Sequence, residues 1–440
     1  MIAPRAGEAV RPELLWVALG QVLILLQRIL ALKLLTSLLG PEHYGRFEIG
    51  LTVAGSLTLF VYGPISQALT RYFHICSGRG TLGEMDRLVA YLLRVSAGTI
   101  LFVGAAATIL VTTRSGIAWG VLVAVALVYG VSSGRLAVYL AELNTRREQR
   151  GFAMLQSADA LFRLSAAAAL ILIAGATGTA AMGGFVVGSL ASLLIVRFMM
   201  GKAPVGHDVR GLFSTGALGR EFGGYAFSIS LFGIPAMLAG FGDRWIILQT
   251  LSPAHVGIYV VLSQIAYAPA NLLLAVFAQT MNPVIFQRAG DTSSASAMRA
   301  SRRLLYRALL LLAAFLITVA GFSYAFGEVI VRLMTSADFT PYAKLLWVLV
   351  LSAAIFQLAQ ALASEAFLYN RPLLLFLPKL LHAATFLGLS LWLVRSRQLE
   401  GVAIAGVAAA VFYLALVLAI NAYVARGYGL TSSLSSGGGP

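Results

Sequence analysis

Apolar runs longer than 18 residues recur from one end of the chain to the other. An uninterrupted run of that length is what a helix needs to cross the hydrocarbon core of a bilayer. Soluble domains carry about 25% charged and about 45–50% apolar residues. This chain has 11% charged and 59% hydrophobic residues, and its mean hydropathy is +0.86. The sequence therefore predicts an all-α polytopic membrane protein.

Turn and charge signals divide the apolar sequence into about twelve transmembrane helices, six in each half. The predicted spans lie near 13–39, 47–75, 88–112, 117–141, 151–175, 179–200, 219–242, 255–283, 303–327, 341–369, 372–394 and 400–424. An even number per half means that both halves enter the membrane in the same direction, which is a parallel repeat. The predicted organisation is an N-terminal six-helix lobe at 1–200, a cytoplasmic linker at 201–218, a C-terminal six-helix lobe at 219–426 and a disordered tail at 427–440.

One short motif occurs twice at an offset of 212 residues. The stretches Leu39–Gly45 and Leu251–Gly257 share a leucine, a proline, a histidine and a glycine at the same spacing. Proline preceded by glycine or serine interrupts a helix, so each copy predicts a tight turn between antiparallel helices. The recurrence of turn and apolar flanks indicates that the two halves are duplicates.

Basic residues indicate the orientation. One set of connecting segments holds 20 of the 32 Lys and Arg residues, the opposite set holds seven, and five lie within spans. The positive-inside rule then places both termini in the cytoplasm and His43 and His255 outside.

Several function classes are excluded. The net charge of +15 is scattered among apolar runs rather than gathered on a water-facing surface, which argues against a nucleic-acid partner. A single cysteine, Cys76, permits neither an internal disulfide nor a thiolate metal cluster. The sequence contains no P-loop, GxSxG or HExxH motif, so we predict a protein without enzymatic activity, cofactor or metal site.

Arg28 is the charge that most indicates function. It precedes Gly40 by twelve residues, about 18 Å of helix, which puts it near mid-membrane. A charge at that depth needs a partner or a wet cavity. We predict that Arg28 faces the space between the lobes and contacts an anionic cargo, with Arg163 and Lys379 as further substrate-binding cations, because arginine suits phosphate. A purely structural arginine is the alternative.

Other intramembrane charges have candidate roles. Ion coupling is assigned to Asp159, Glu365 and His382; alternatively, Asp159 pairs with Arg163 four residues on, and Glu365 pairs across a turn with Lys379 or His382. Lys33 and Glu48 lie at similar depth and are predicted to form a structural pair, and Asp243 and Arg244 a gate or structural contact.

Two stretches carry a family resemblance: Leu38–Gly45, and Gly63–Phe73, which reads Gly-Pro-Ile-Ser-Gln-Ala-Leu-Thr-Arg-Tyr-Phe. The chain resembles Wzx-like polysaccharide flippases of the multidrug/oligosaccharidyl-lipid/polysaccharide (MOP) exporter superfamily. The resemblance implies a two-lobed bundle with a central cavity in the bacterial inner membrane. It also implies transport of an undecaprenyl-pyrophosphate-linked O-antigen (lipopolysaccharide) or exopolysaccharide unit to the outer leaflet by alternating access, often with ion coupling. The implied partners are this lipid-linked anionic glycan, membrane lipids, and a polysaccharide polymerase and co-polymerase.

Three other functions compete with this one. A drug or organic-cation antiporter of the same fold would want acidic cavity walls, whereas the first span carries Arg28 and Lys33. A membrane-embedded glycan polymerase or ligase would want a large outer loop with catalytic residues. A major-facilitator transporter would carry a Gly/Asp/Arg-rich loop between spans two and three, and residues 76–87 do not resemble it.

Overall fold

The computed structural model describes residues 10–199, 216–289, 295–369 and 372–435, and all regular secondary structure in these ranges is helical. The helices before the first gap are α1 (Val10–Leu57), α2 (Gly63–Arg79), α3 (Leu82–Ser115), α4 (Ile117–Thr145), α5 (Gln149–Ala174) and α6 (Gly178–Met199). A π-helical turn at Thr58–Tyr62 joins α1 to α2.

The later helices are α7 (Gly216–Thr250), α8 (Pro253–Ala289), α9 (Ala295–Met334), α10 (Leu346–Leu362), α11 (Ser364–Leu368) and α12 (Phe376–Ser435). Two 3₁₀ segments, Ala337–Leu345 and Pro372–Leu375, precede α10 and α12.

Both copies of the repeated motif are turns, as predicted. Gly40 has φ 64° inside α1, a left-handed conformation that favours glycine, so α1 consists of two helices that meet there. The chain becomes helical again at Pro41, where a missing N–H costs nothing. In the second copy α8 begins at Pro253, and the Ser252 hydroxyl accepts a hydrogen bond of 3.4 Å from the backbone N–H of His255, as a helix cap does.

Ten helices in the described ranges are long and apolar enough to cross a membrane. Two of these stretches are interrupted, at Gly40 and at Gln398, which has φ 50° and ψ −131°. Each interrupted stretch is long enough for two of the predicted spans, and the count of twelve crossings stays a prediction. The predicted all-helical fold is confirmed.

Several helices extend further than the predicted spans, α9 and α12 among them. The ninth span, predicted at 303–327, is helical from Ala295 to Met334, because its flanks contain mostly alanine, arginine and apolar residues that support a helix. Helix α12 continues to Ser435, so residues 427–435 are helical rather than part of a disordered tail. This stretch has no proline to stop the helix. Residues 201–215 of the predicted linker and 436–440 of the tail lie outside the described residues.

The chain forms two compact units, Met1–Met237 and Leu238–Pro440. The division falls within α7, two residues after Pro235. The predicted lobe boundaries at 200 and 219 remain a prediction.

In the first unit α5 and α6 approach closely because α6 carries glycine at the contact. A Cβ added to Gly184 would lie 2.2 Å from the Cα atom of Ala167, and one added to Gly188 would lie 2.4 Å from the Cα atom of Arg163. Any larger residue would push the helices apart. This approach brings the charged segment of α5 against α6.

In the second unit α8, α9, α10 and α12 share one apolar core. Leu305 and Leu309 of α9 pack in it with Ala353 of α10 and with Tyr413 and Val417 of α12. This core holds the start of α9 beside the short helix α11, where Glu365 lies.

Candidate functional site

An ion pair in the first unit joins the two predicted charges of α5. The Nη2 atom of Arg163 lies 2.5 Å from Oδ2 of Asp159. The Asp159 side chain is 7% exposed and that of Arg163 is 26% exposed. Residues four apart on a helix are neighbours on one face, so this is the local pairing that the spacing predicts.

Hydroxyl groups from two other helices complete this arrangement. Ser192 of α6 donates a hydrogen bond of 3.0 Å to Oδ1 of Asp159. Arg163 donates one of 2.6 Å to the hydroxyl oxygen of Tyr129 on α4, and its guanidinium lies 5.7 Å from the ring centroid of Phe185. We call these five residues the Asp159 cluster. The buried carboxylate is therefore compensated by a cation and a hydroxyl, as a buried charge requires.

Arg28 is not a member of the Asp159 cluster. The neighbouring Gln27 donates a hydrogen bond of 3.0 Å to the carbonyl of Ser157, which ties α1 to α5 two residues before Asp159. Arg28 itself is exposed and, among the described residues, makes no hydrogen bond or ion pair.

Glu365 in the second unit is paired, but not with the predicted partner. Its side chain is fully buried, and Oε1 lies 2.6 Å from Nε of Arg302. Tyr306 donates a hydrogen bond of 2.8 Å to Oε2. The predicted pairing across the turn with Lys379 or His382 is wrong, because α9 supplies the cation from 63 residues away in the chain. We call Arg302, Tyr306 and Glu365 the Glu365 cluster.

His382 is packed as an aromatic residue. Its ring centroid lies 4.8 Å from that of Phe356, 5.4 Å from that of Tyr413 and 6.5 Å from that of Phe386. Within the part of the chain that the structure describes, neither this ring nor the exposed side chain of Lys379 has a hydrogen bond or ion pair. Ion coupling through His382 and substrate binding by Lys379 remain predictions.

The remaining predicted charges all have polar or electrostatic contacts. Lys33 and Glu48 flank the break in α1; Glu48 is buried and Lys33 half-buried, and both make polar or electrostatic contacts. Their mutual pairing remains a prediction. The buried carboxylate of Asp243 accepts a hydrogen bond of 2.8 Å from the backbone N–H of Arg244, whose guanidinium lies 5.1 Å from the Phe241 ring. A gating role for Asp243 and Arg244 also stays a prediction.

Sequence reasoning missed the residues that complete both clusters. They are Tyr129, Phe185, Ser192, Tyr306 and Arg302. A tyrosine or serine within a long apolar span is a usable signal, because its hydroxyl needs a partner in that environment. The neighbouring sequence does not identify the partner of that hydroxyl.

The charge distribution favours an anionic ligand. The buried carboxylates of the described residues, which are Glu48, Asp159, Asp243 and Glu365, all have polar or electrostatic contacts. Arg28 and Lys379 are exposed cations without such contacts. The positive charge left over in these helices suits phosphate or carboxylate groups.

Comparison with known proteins gives one family match. A family model described as polysaccharide biosynthesis protein matches residues 11–289. No curated protein sequence matches.

Solved structures share the fold at low sequence identity. The structure titled lipid II flippase MurJ, inward closed conformation, aligns with a TM-score of 0.69 and 14% identity, covering 95% of this chain and 91% of that chain. An inward-facing multidrug resistance MATE family transporter of the MOP superfamily aligns with a TM-score of 0.65 and 15% identity, covering 91% and 96%. A MOP superfamily transporter from Pyrococcus furiosus aligns with a TM-score of 0.59 and 13% identity, covering 92% and 93%.

Proposed function

The chain belongs to the family of polysaccharide biosynthesis proteins, and we propose that it is the flippase for a lipid-linked oligosaccharide. The proposed cargo is an undecaprenyl-pyrophosphate-linked O-antigen or exopolysaccharide repeat unit, carried from the inner to the outer leaflet by alternating access. The proposed location is the bacterial inner membrane with both termini in the cytoplasm. A polysaccharide polymerase and co-polymerase are the proposed partners downstream of the cargo.

The observation that carries this proposal concerns Arg28 in the first span: its guanidinium is exposed and has no hydrogen bond or ion pair with the residues that the structure describes. A pyrophosphate has more negative charge than one arginine neutralises. We therefore assign Arg163 and Lys379 to the cargo as well. Arg163 is 26% exposed despite its bond to Asp159, so a phosphate oxygen can approach it from the open side. Arginine offers phosphate a bidentate fork that lysine cannot reproduce.

The same charge distribution disfavours an organic-cation antiporter. Such a protein needs a carboxylate that a cationic drug can reach. Asp159 and Glu365 are instead buried against arginines, and each also accepts a bond from a hydroxyl.

We further propose that the cargo and Asp159 compete for Arg163. A proton on Asp159 would end its ion pair, and Arg163 would then turn to the cargo phosphate. Loss of the proton after release would restore the pair. Because the protonated state is the one that binds cargo, this cycle would move the proton and the cargo in the same direction. Flipping would then be faster toward the less acidic side of the membrane, in a sequence that has no nucleotide-binding motif as another source of energy. Glu365 and His382 are the second-unit candidates for the same role.

The test of the cargo is a strain deleted for this gene and complemented with variants. Arg28→Ala is expected to cause lipid-linked oligosaccharide to accumulate and surface glycan to disappear, at normal protein level. A charge-assisted bond contributes about 1.5–3 kcal/mol, so binding should weaken roughly ten- to a hundredfold. Arg28→Lys should restore export only in part. Arg114→Ala removes an exposed arginine at the end of α3 and serves as the matched control.

Two outcomes would contradict the cargo assignment. Normal surface glycan with Arg28→Ala would make Arg28 structural. Normal glycan in the deletion strain, together with new sensitivity to organic cations, would favour the antiporter.

The coupling cycle has its own test in proteoliposomes. Asp159→Asn should keep downhill flipping of the cargo and lose its acceleration by a pH gradient. Ser192→Ala removes one hydrogen bond to the same carboxylate and should keep the acceleration. Acceleration that survives Asp159→Asn would overturn the cycle and leave the cargo assignment intact.

A further inference from the structure

Helix α9 is longer than a helix needs to be to cross the membrane. Its 40 residues extend about 60 Å, against a hydrocarbon core of about 30 Å. Residues 308–327 form an uncharged stretch of 20 residues, about 30 Å long, bounded by Arg307 and Glu328. The hydrocarbon boundary at the first end of the stretch therefore lies next to Arg307, and the residues before it lie in the headgroup layer and beyond.

Three arginines project from one face of this first part of α9. Arg299, Arg303 and Arg307 follow one another at intervals of four residues, about 6 Å of helix per step, and all three are exposed. Such spacing puts side chains above one another on the same face. We call these three residues the arginine face.

The arginine face has no anionic partner in the described part of the protein. None of its three guanidinium groups forms a hydrogen bond or ion pair there. The only acid of α9, Glu328, lies beyond the apolar stretch and pairs with Arg332. Arg302, which lies on another face, is bound to Glu365. Three fixed positive charges thus remain uncompensated within about 12 Å of helix.

The continuation of the same face is apolar and open. Leu310 and Ile317 follow Arg307 by three and ten residues, and each is 71% exposed. The opposite face of α9 is buried in the second unit through Leu305, Leu309 and Leu312. A water-filled surface would not present leucine and isoleucine at that exposure, whereas acyl chains would cover them. The face therefore offers positive charge to a phosphate group at one end and apolar side chains to acyl chains at the other.

We propose that this face is a binding site for an anionic phospholipid of the leaflet at that end of α9. Its phosphate contacts the arginine face, and its acyl chains lie along Leu310 and Ile317. A diacyl lipid with a phosphatidylglycerol or cardiolipin headgroup supplies both parts. A basic residue near a membrane surface contributes about 1 kcal/mol to attraction by anionic lipid. Three such residues on one face should distinguish an anionic from a zwitterionic lipid strongly. The site lies outside the cargo residues and does not depend on the proposed function.

The test is native mass spectrometry of the full-length protein in detergent, titrated with dioleoylphosphatidylglycerol or dioleoylphosphatidylcholine. The combined variant Arg299→Gln, Arg303→Gln, Arg307→Gln should bind the first phosphatidylglycerol at least about tenfold more weakly, with phosphatidylcholine binding unchanged. Arg114, Arg395 and Arg397 are also exposed, and changing all three to glutamine removes the same formal charge as a control.

Three results would overturn the proposal: unchanged phosphatidylglycerol binding in the triple variant, an equal loss in the control, or displacement of the lipid by undecaprenyl phosphate at lower concentration. The last result would assign the face to the cargo. If the triple variant does not fold, Arg303→Gln alone should weaken phosphatidylglycerol binding about fivefold, and unchanged binding there would be equally decisive.

Discussion

Replacing Arg302 with glutamine is expected to destabilise the protein more than replacing its partner Glu365 with glutamine. The two residues share one bond of 2.6 Å but differ in surroundings: the Glu365 side chain is 0% exposed and that of Arg302 is 38% exposed. Without Arg302 the carboxylate stays buried and keeps the hydrogen bond from Tyr306, but it has no cation beside it among the described residues. Without the carboxylate, Arg302 can turn toward solvent. Because Glu365 is the more buried partner, Arg302→Gln should lower the stability more than Glu365→Gln does.

The expected losses of stability differ because the two substitutions leave different groups unpaired. Removing one partner of a buried ion pair costs about 3–5 kcal/mol because it leaves an uncompensated charge. The remaining Tyr306 bond places Arg302→Gln at the low end, about 3 kcal/mol. Glu365→Gln loses a charge-assisted bond and retains an oxygen that accepts from Tyr306, so its cost is about 1–2 kcal/mol. The double variant should be more stable than Arg302→Gln alone, because no buried charge remains.

The assay is the thermal unfolding midpoint of the purified protein in one detergent, followed by the loss of the monodisperse gel-filtration peak. The expected order of midpoints is wild type, Glu365→Gln, the double variant close to it, then Arg302→Gln. The control is Arg332→Gln on the same helix, which breaks an ion pair with Glu328 whose side chains are 70% and 64% exposed. Exposed pairs contribute little. A midpoint for Arg302→Gln equal to that of Glu365→Gln, or to that of the control, would refute the reasoning.

Three further predictions concern packing, the first turn and topology. Gly188→Ala should lower the thermal midpoint clearly, because its Cβ would lie 2.4 Å from the α5 backbone, whereas Gly183→Ala, with its nearest neighbour at 3.4 Å, should not. Gly40→Ala, at φ 64°, should cost roughly 1 kcal/mol in the same assay, and an unchanged midpoint would contradict the left-handed turn. In a cysteine-free background, a membrane-impermeant thiol reagent should label Glu42→Cys in intact cells and spare Arg147→Cys. The reverse pattern would invert the orientation.

The sequence predicted those features that depend on neighbouring residues. The turn at Gly40 follows from a Gly-Pro pair between apolar runs, and the bond between Asp159 and Arg163 follows from a spacing of four on one helix. Both rules act within a few residues, so they need no knowledge of tertiary packing.

The partner of Glu365 could not be found in the same way. Its nearest cations along the chain are Arg371 and Lys379, yet Arg302 reaches it from α9. The core shared by α8, α9, α10 and α12 decides which helix lies beside α11. Likewise, Tyr129 reaches Arg163 because glycines in α6 and contacts among α4, α5 and α6 set the packing. Such partners depend on side-chain volumes summed over several helices.

The two acid clusters have three kinds of residue in common although the repeat does not explain them. Each contains one buried carboxylate, one arginine and one tyrosine, with a further hydroxyl from Ser192 in the first unit. The offset of 212 residues that relates the turns would match Asp159 to Arg371, not to Glu365. The predicted duplication therefore does not account for the clusters, whereas the physical requirement of a buried carboxylate for compensating partners does. In the proposed cycle an arginine paired with an acid, such as Arg163, binds cargo only when the acid is protonated, whereas Arg28 has no such acid among the described residues. The positive charge that a ligand can bind therefore depends on which arginines are paired with acids. This matters as much as the number of arginines in the spans.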